Sequence, residues 1–200
     1  MSQPESAEDV VVGVDLSGAP KRPTGVCVLQ GNRAKVSTVY EDEELLALVD
    51  AHAPVLVPMD APLSLPPGRK TLEDRNGEHL RPCDRVLQKM GIRFFPITLG
   101  PMRMLTERGI RLKGILAEMG YEAVECYPGG AQDVWGISRK QHDMEGLLKG
   151  LRKLGLRGLR KTANDHELDA ASGALAGRWF LEGRGEMLGD ATGILMPVVE

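Results

Sequence analysis

Acidic side chains interrupt or end three apolar stretches of this sequence. Asp15 lies within the run Val-Val-Gly-Val-Asp-Leu, Asp60 ends Val-Leu-Val-Pro-Met, and Glu125 falls near the end of Ala-Val-Glu-Cys. A carboxylate inside an apolar strand is costly to desolvate unless it is paired or bound to a cation. Because neighbouring carboxylates also repel one another, three of them at strand ends suggest one shared explanation, a bound divalent cation.

A fourth carboxylate follows on the last helical pattern of the chain. Asp165 and Asp169 are four residues apart, so they share one helix face, and the small residues from Ala170 to Ala174 would let that helix approach a sheet closely. Oxygen ligands suit Mg²⁺ or Mn²⁺ rather than zinc, and two such ions about 3.5–4 Å apart stabilise the attacking and leaving oxygens of phosphodiester hydrolysis. We therefore expect a Mg²⁺ or Mn²⁺ site with the catalytic ligands Asp15, Asp60, Glu125 and Asp169, and with Asp165 as a further metal ligand.

Each of these carboxylates also has a simpler interpretation. Asp15 could orient the turn that follows it, and Asp60 could cap the proline-rich loop over residues 61–70. Glu125 could pair with an arginine, and Asp165 could cap its helix.

The elements that would position these residues follow from the periodicity of apolar residues. Turn-forming residues separate the first three strands, which predicts antiparallel hairpins. Strands are predicted over residues 10–16, 24–30, 34–40, 55–59 and 121–126, helices over 41–52, 83–90, 102–119, 143–154 and 165–181, and an extended tail over 194–199.

An antiparallel meander followed by alternating helices and strands is the order of the ribonuclease H-like α/β fold, and not that of a doubly wound dinucleotide-binding sheet. We expect a mixed five-stranded sheet with helices on both faces, in which the strands of Asp15, Asp60 and Glu125 are adjacent. The length fits one such domain over residues 10–200, after a disordered tail over residues 1–9.

Composition limits the classes of function. The chain is 42% hydrophobic and 26% charged, which is ordinary for a globular protein. Its three cysteines form no CxxC pair, which argues against a disulfide framework and a structural zinc site. The polar, acidic N-terminus and the lack of a long apolar run predict a cytoplasmic protein without a membrane partner. The oligomeric state stays open.

The charge is unevenly distributed. A net charge of −3 argues against a protein that coats nucleic acid, yet residues 149–161 hold six basic side chains and no acidic one. We expect Arg157 and Arg160 in this segment, and Arg81 and Arg85 at a helix start, to bind substrate phosphates. The alternatives are a solvated helix surface for the first pair and local ion pairs for the second.

Several motifs occur in an order that resembles the domain-of-unknown-function family numbered 429, described as predicted nucleases of ribonuclease H-like fold. The resemblance covers about residues 11–197 and rests on Gly13-Val-Asp-Leu-Ser-Gly with Arg22-Pro-Thr-Gly-Val, Met59-Asp-Ala-Pro-Leu-Ser-Leu-Pro, Arg81-Pro-Cys-Asp-Arg, Val124-Glu-Cys-Tyr-Pro and Asp165-His-Glu-Leu-Asp-Ala. It implies that Asp15, Asp60, Glu125 and Asp169 occupy the acidic motif positions. RuvC-like resolvases are similar to this chain in the aspartate-alanine step on the last helix.

The resulting hypothesis is a metal-dependent nuclease that hydrolyses phosphodiester bonds in DNA or RNA, with nucleic acid as its partner. His166 is the only evident candidate histidine and is equally consistent with a surface residue, so activation of water would depend on metal. One alternative is a nucleotide or phosphometabolite binder of the actin-like ATPase type, to which the Asp-Leu-Ser-Gly turn is similar. That type needs two similar domains, and the sequence has no second copy of the hairpin. The other is a non-catalytic nucleic-acid or protein adaptor that keeps the fold.

Overall fold

The computed structural model of the protein describes residues 9–19, 21–75, 77–190 and 192–199. The predicted disordered tail falls almost entirely on residues 1–8, outside the described residues. The described residues form, in chain order, β1 (Val10–Asp15), β2 (Thr24–Gln30), β3 (Arg33–Val39), α1 (Asp42–His52), β4 (Val57–Met59), α2 (Pro82–Lys89), α3 (Gly100–Glu118), β5 (Ala123–Cys126), α4 (Pro128–Val134), α5 (Met144–Lys153), α6 (Asp165–Leu181), β6 (Gly185–Leu188) and β7 (Ile194–Pro197).

These strands form one mixed sheet in the order β3-β2-β1-β4-β5-β7-β6. β1, β2 and β3 pair antiparallel, whereas β1, β4, β5 and β7 run parallel to one another, and β6 returns antiparallel beside β7. The first five strands in this order are the arrangement predicted for the ribonuclease H-like fold, and the three acid-bearing strands are adjacent as expected. The chain has this fold.

The sheet is larger than predicted. β7 extends it beside β5, and the short strand β6 completes a hairpin with β7. β6 has only four residues, Gly-Glu-Met-Leu, which is too short to show a clear alternation of apolar and polar side chains. α4 was also missed because the sequence Pro-Gly-Gly predicts a loop, whereas here Pro128 occupies the first turn of a helix.

Helices cover both faces of the sheet. Val11 packs in a cluster with residues of α5 and α6, whereas Val12 and Val14 pack on the other face with residues of α1 and α3. This alternation along β1 is the period of two that a strand imposes. Among the described residues, no helix is long and apolar enough to cross a lipid bilayer.

α6 lies very close to the sheet. A β-carbon added at Gly13 would come within 2.2 Å of the Ala170 carbonyl oxygen, and one at Gly25 within 2.1 Å of the His166 carbonyl oxygen. Ala170 and Ala174 are fully buried against the strands, as their small size predicts. A side chain at either glycine would push α6 away from β1, and with it Asp169 away from Asp15.

Candidate metal centre

Three aspartates meet at the carboxyl ends of β1 and β4. Val14 of β1 is paired with Met59 of β4, and the Asp60 N–H donates to the Val14 carbonyl at 2.7 Å, so Asp15 and Asp60 leave the sheet side by side. α6 brings Asp169 to the same point. One carboxylate oxygen from each of Asp15, Asp60 and Asp169 lies within 4.8 Å of the other two, and we call these residues the aspartate cluster.

The aspartate cluster carries an excess of negative charge in a poorly solvated place. Asp15 and Asp169 are buried, and Asp60 is partly buried. Burial, followed by the charges of Asp15 and Asp169, raises the pKa of Asp60 well above its ordinary range. Burial also raises the pKa of Asp169, although Lys140 opposes this. A divalent cation would relieve both effects, and a set of carboxylate oxygens is the donor set that Mg²⁺ and Mn²⁺ prefer.

Lys140 supplies the positive charge nearest to the aspartate cluster. It lies between α4 and α5, and its Nζ is 2.8 Å from Asp169, 3.6 Å from Asp165 and 3.7 Å from Asp15. Burial lowers the pKa of Lys140, but the charges of Asp15 and Asp169 outweigh it and raise that pKa above its ordinary value. A single ammonium therefore faces several carboxylates, and part of their charge stays uncompensated.

Two further side chains fix the orientation of the aspartates. The Gln132 amide of α4 is buried and donates to Asp169 at 2.8 Å and to Ser172 at 3.0 Å. His166 Nδ1 lies 2.8 Å from Asp15, and this hydrogen bond raises the pKa of His166. Asp15 and Asp169 are thus each oriented by a polar side chain from another element.

Glu125 lies outside the aspartate cluster because of its register in the sheet. It is paired with Met59, so its side chain points to the same face as Met59 and Val14, whereas Asp15 points to the opposite face. Its two oxygens accept from Arg81 at 2.6 and 2.8 Å, and one also accepts from the Leu63 N–H at 2.8 Å. This is the arginine pairing that was the alternative interpretation of Glu125.

Arg81 is 3% exposed and joins two acids. Its guanidinium donates to Glu125 and, at 2.9 and 3.2 Å, to Asp84 in the first turn of α2. Burial by itself lowers the pKa of Arg81, but the charge and hydrogen bonds of Glu125 and Asp84 raise it above its ordinary value. We call Arg81, Asp84 and Glu125 the arginine cluster. Its geometry favours the predicted alternative of a helix start with local ion pairs.

The other predicted site residues are more exposed. Asp165 begins α6 and is near Lys140, while the N-cap is Asn164, so the alternative interpretation of Asp165 as the helix cap is wrong. Arg85 forms an exposed ion pair with Glu78.

The two predicted phosphate-binding arginines of the basic segment have different neighbours in the fold. Arg160 is exposed, 3.8 Å from Glu167 on the first turn of α6. The Arg157 N–H donates to Asn32 beside the β2–β3 turn, at the end of the sheet opposite to Asp15. Their substrate-binding roles stay predictions.

Sequence reasoning missed Lys140 and Gln132, and it left His166 undecided. Lys140 and Gln132 come from a loop and from the unpredicted helix α4, and neither stands in a pattern that marks it. For His166 a signal was present, because it precedes Asp169 by three residues and so lies on nearly the same helix face.

The chain is similar to the solved structure of T. thermophilus RuvC in complex with Holliday junction substrate, with 14% identity and a TM-score of 0.49. The match covers 88% of this chain and 96% of that chain. No curated protein matches it significantly. The sequence profile of the family described as "Protein of unknown function (DUF429)" matches residues 13–192, which is most of the chain.

Proposed function

The chain belongs to the DUF429 family, and on that premise we propose that it is a metal-dependent nuclease whose aspartate cluster holds Mg²⁺ or Mn²⁺ and which hydrolyses phosphodiester bonds in nucleic acid. The observation that carries this proposal is the convergence of three carboxylate oxygens within 4.8 Å, with one lysine to balance them. Like charges this close raise one another's pKa, a bound cation relieves that repulsion, and carboxylates perturbed in this way cluster at functional sites.

In this proposal Asp15, Asp60 and Asp169 hold the metal. Asp165 lies next to them at the edge of the site, where it shares Lys140 with Asp169. A bound divalent ion would polarise a phosphoryl oxygen and neutralise charge that develops there. The protein's own residues orient the ligands: Gln132 holds Asp169, and His166 holds Asp15.

Glu125 has a different task in this proposal. Both of its oxygens are engaged by Arg81, so it stabilises the sheet end beneath the aspartate cluster. The predicted role of Glu125 as a catalytic ligand would require that ion pair to open.

A cleavage assay tests the proposal. Purified protein with Mn²⁺ should cut labelled single- or double-stranded oligonucleotides, and EDTA should stop the reaction. Asp60→Asn and Asp169→Asn should each reduce the rate by roughly a hundredfold or more, because each ligand positions charge that the transition state needs. Asp50→Asn, on the surface of α1 and hydrogen-bonded to Tyr121, is the matched control and should cut like the wild type.

Metal binding is measured separately by calorimetry and by melting temperature. Millimolar Mn²⁺ should stabilise the wild type by mass action, and Asp15→Asn should remove most of that shift. Cleavage that is equal in the wild type and Asp60→Asn would indicate a contaminating nuclease. If the protein neither binds metal nor cleaves any substrate, the non-catalytic adaptor is favoured. If it binds nucleotides without cleavage, the nucleotide binder is favoured.

A further inference from the structure

A cavity of about 300 Å³ opens beside the aspartate cluster. Its lining includes Asp60 and Asp169 together with the aromatic rings of Phe94, Phe95 and Tyr127. A second cavity, of about 940 Å³, is lined by the same three aromatic residues. The two cavities adjoin at these rings, and we call them together the aromatic groove, which leads from the carboxylates past the rings.

Phe95 is the most exposed large apolar side chain among the described residues, with 72% of its surface accessible. Single exposed apolar residues are common on protein surfaces and mean little. Phe95 differs because it lies in a groove continuous with a candidate catalytic centre, with Phe94 next to it in the chain. An aromatic ring face that is open to solvent is a surface on which a planar ligand can stack.

The outer part of the aromatic groove is positively charged. The lining of the second cavity includes Arg93, Arg139 and His142 and no acidic residue. Arg93 is exposed, and no described carboxylate forms an ion pair with it. Its backbone carbonyl accepts a 2.6 Å hydrogen bond from the Tyr127 hydroxyl, which holds the Arg93 backbone next to this aromatic residue.

Arg139 is already partly neutralised. It pairs with Asp133, and its guanidinium carbon lies 5.5 Å from the centre of the Tyr127 ring. Arg93 is therefore the residue of this groove with the most free positive charge for an anionic ligand. Alternating aromatic rings and cations are the surface that single-stranded nucleic acids bind, through base stacking and phosphate contacts.

We propose, resting on the proposed nuclease function, that the aromatic groove binds single-stranded nucleic acid, with one unstacked base on Phe95 and a phosphate beside Arg93. A duplex keeps its base faces covered by their neighbours, so only an unpaired nucleotide can offer a face to the ring. The cavity next to the carboxylates is at the small end of ligand pockets, which fits one base and not a stack of several. The groove thus selects unpaired strands for the aspartate cluster.

Fluorescence anisotropy tests this selection. The probes are fluorescein-labelled oligothymidylate, oligouridylate of the same length, and the thymidylate strand annealed to oligoadenylate, each titrated once with Ca²⁺ and once with EDTA. Both single strands should bind more tightly than the duplex. Phe95→Ala should weaken single-strand binding about tenfold, the loss expected for one stacked base, with an unchanged melting temperature. Tyr40→Ala removes another exposed ring, 50% accessible and outside the groove, and should bind like the wild type.

Two further arms make the test specific. Arg93→Gln should weaken strand binding and lower the slope of log affinity against log salt by about one. An abasic oligonucleotide of the same length, which has the phosphates but no bases, should compete poorly. Unchanged binding in Phe95→Ala, a duplex that binds as tightly as the strands, efficient displacement by the abasic strand, or no strand binding at all would each overturn the inference.

These outcomes separate the inference from the proposed function. Mn²⁺-dependent cleavage of duplex that is unaffected by Phe95→Ala would refute single-strand selection and leave the nuclease proposal standing. Strand binding that needs Phe95, in a protein that binds no Mn²⁺, would support the groove and refute the metal centre.

Discussion

Two groups of acidic side chains border the same cavity, and they differ in how their charge is balanced. In the arginine cluster, one buried guanidinium donates to both Asp84 and Glu125, so every charged group has a partner with good geometry. In the aspartate cluster, three carboxylates and the nearby Asp165 share the single ammonium of Lys140. We expect the first arrangement to support the fold, because loss of the guanidinium would leave buried charges unpaired. In the proposed function the second holds repulsion that a bound cation would relieve, so carboxylates of similar burial have different tasks according to their counter-charge.

Removal of Arg81 should have the largest effect on stability. Arg81→Met leaves two buried carboxylates unpaired, so we expect the free energy of unfolding in urea to fall by about 3–5 kcal/mol. Mn²⁺ should not restore this loss, because Glu125 is outside the aspartate cluster. Arg85→Met breaks an exposed pair with Glu78 and should cost about 0–1 kcal/mol. Equal losses in the two variants would show that the arginine cluster does not stabilise the fold.

Neutral substitutions should act in opposite directions in the two clusters. Asp60→Asn removes one of three repelling charges and should raise the free energy of unfolding of the metal-free protein by about 1–2 kcal/mol. Glu125→Gln, by contrast, weakens the interaction with Arg81 and should lower the free energy of unfolding. Chemical denaturation of both variants without metal measures the difference. Destabilisation by both would mean that the aspartate cluster is balanced without a cation.

Lys140 should compete with the metal for Asp169. In Lys140→Met the Mn²⁺ affinity should rise about tenfold, which corresponds to about 1.4 kcal/mol, because no ammonium has to leave the carboxylates. Without metal the same variant should be less stable than the wild type. Lys149→Met loses only an exposed pair with Glu145 and serves as the control in calorimetry. If Lys140→Met binds Mn²⁺ more weakly, Lys140 assists metal binding and does not oppose it.

The pH dependence of stability should be the most gradual effect. Because the folded state raises the pKa of Asp60, it holds a proton that the unfolded chain releases near pH 4. The metal-free protein should therefore lose stability as the pH rises from about 4 through the raised pKa of Asp60. The loss should be about 1.4 kcal/mol for each tenfold by which folding lowers the acid dissociation constant of Asp60. Asp60→Asn should lack this loss. Without metal, the difference in free energy of unfolding between this variant and the wild type should therefore be small near pH 4 and grow as the pH rises. An advantage that is constant over this interval would contradict the shifted pKa.

The sequence alone determined most of the local elements of this protein and the meeting of Asp15 and Asp60, two of the three predicted ligands on the sheet. The bounds of β2 and α6 were predicted to the residue, because a hairpin pattern and an alanine-rich helix are local signals. The convergence of Asp15 and Asp60 followed as well, since both end neighbouring parallel strands and the carboxyl ends of such strands meet at one edge.

Only the tertiary structure decided the partner of Glu125 and the neighbours of the aspartates. Along a strand the side chains alternate between faces, so the pairing of Glu125 with Met59 sends it to Arg81, and a pairing shifted by one residue would have sent it to the aspartates. Register depends on the packing of distant segments, which the local sequence does not contain. The same holds for Lys140 and Gln132, which reach Asp169 from segments about thirty to forty residues away in sequence and follow no periodic pattern. Local patterns fix where a charge sits on its element, and long-range packing fixes which charges face one another.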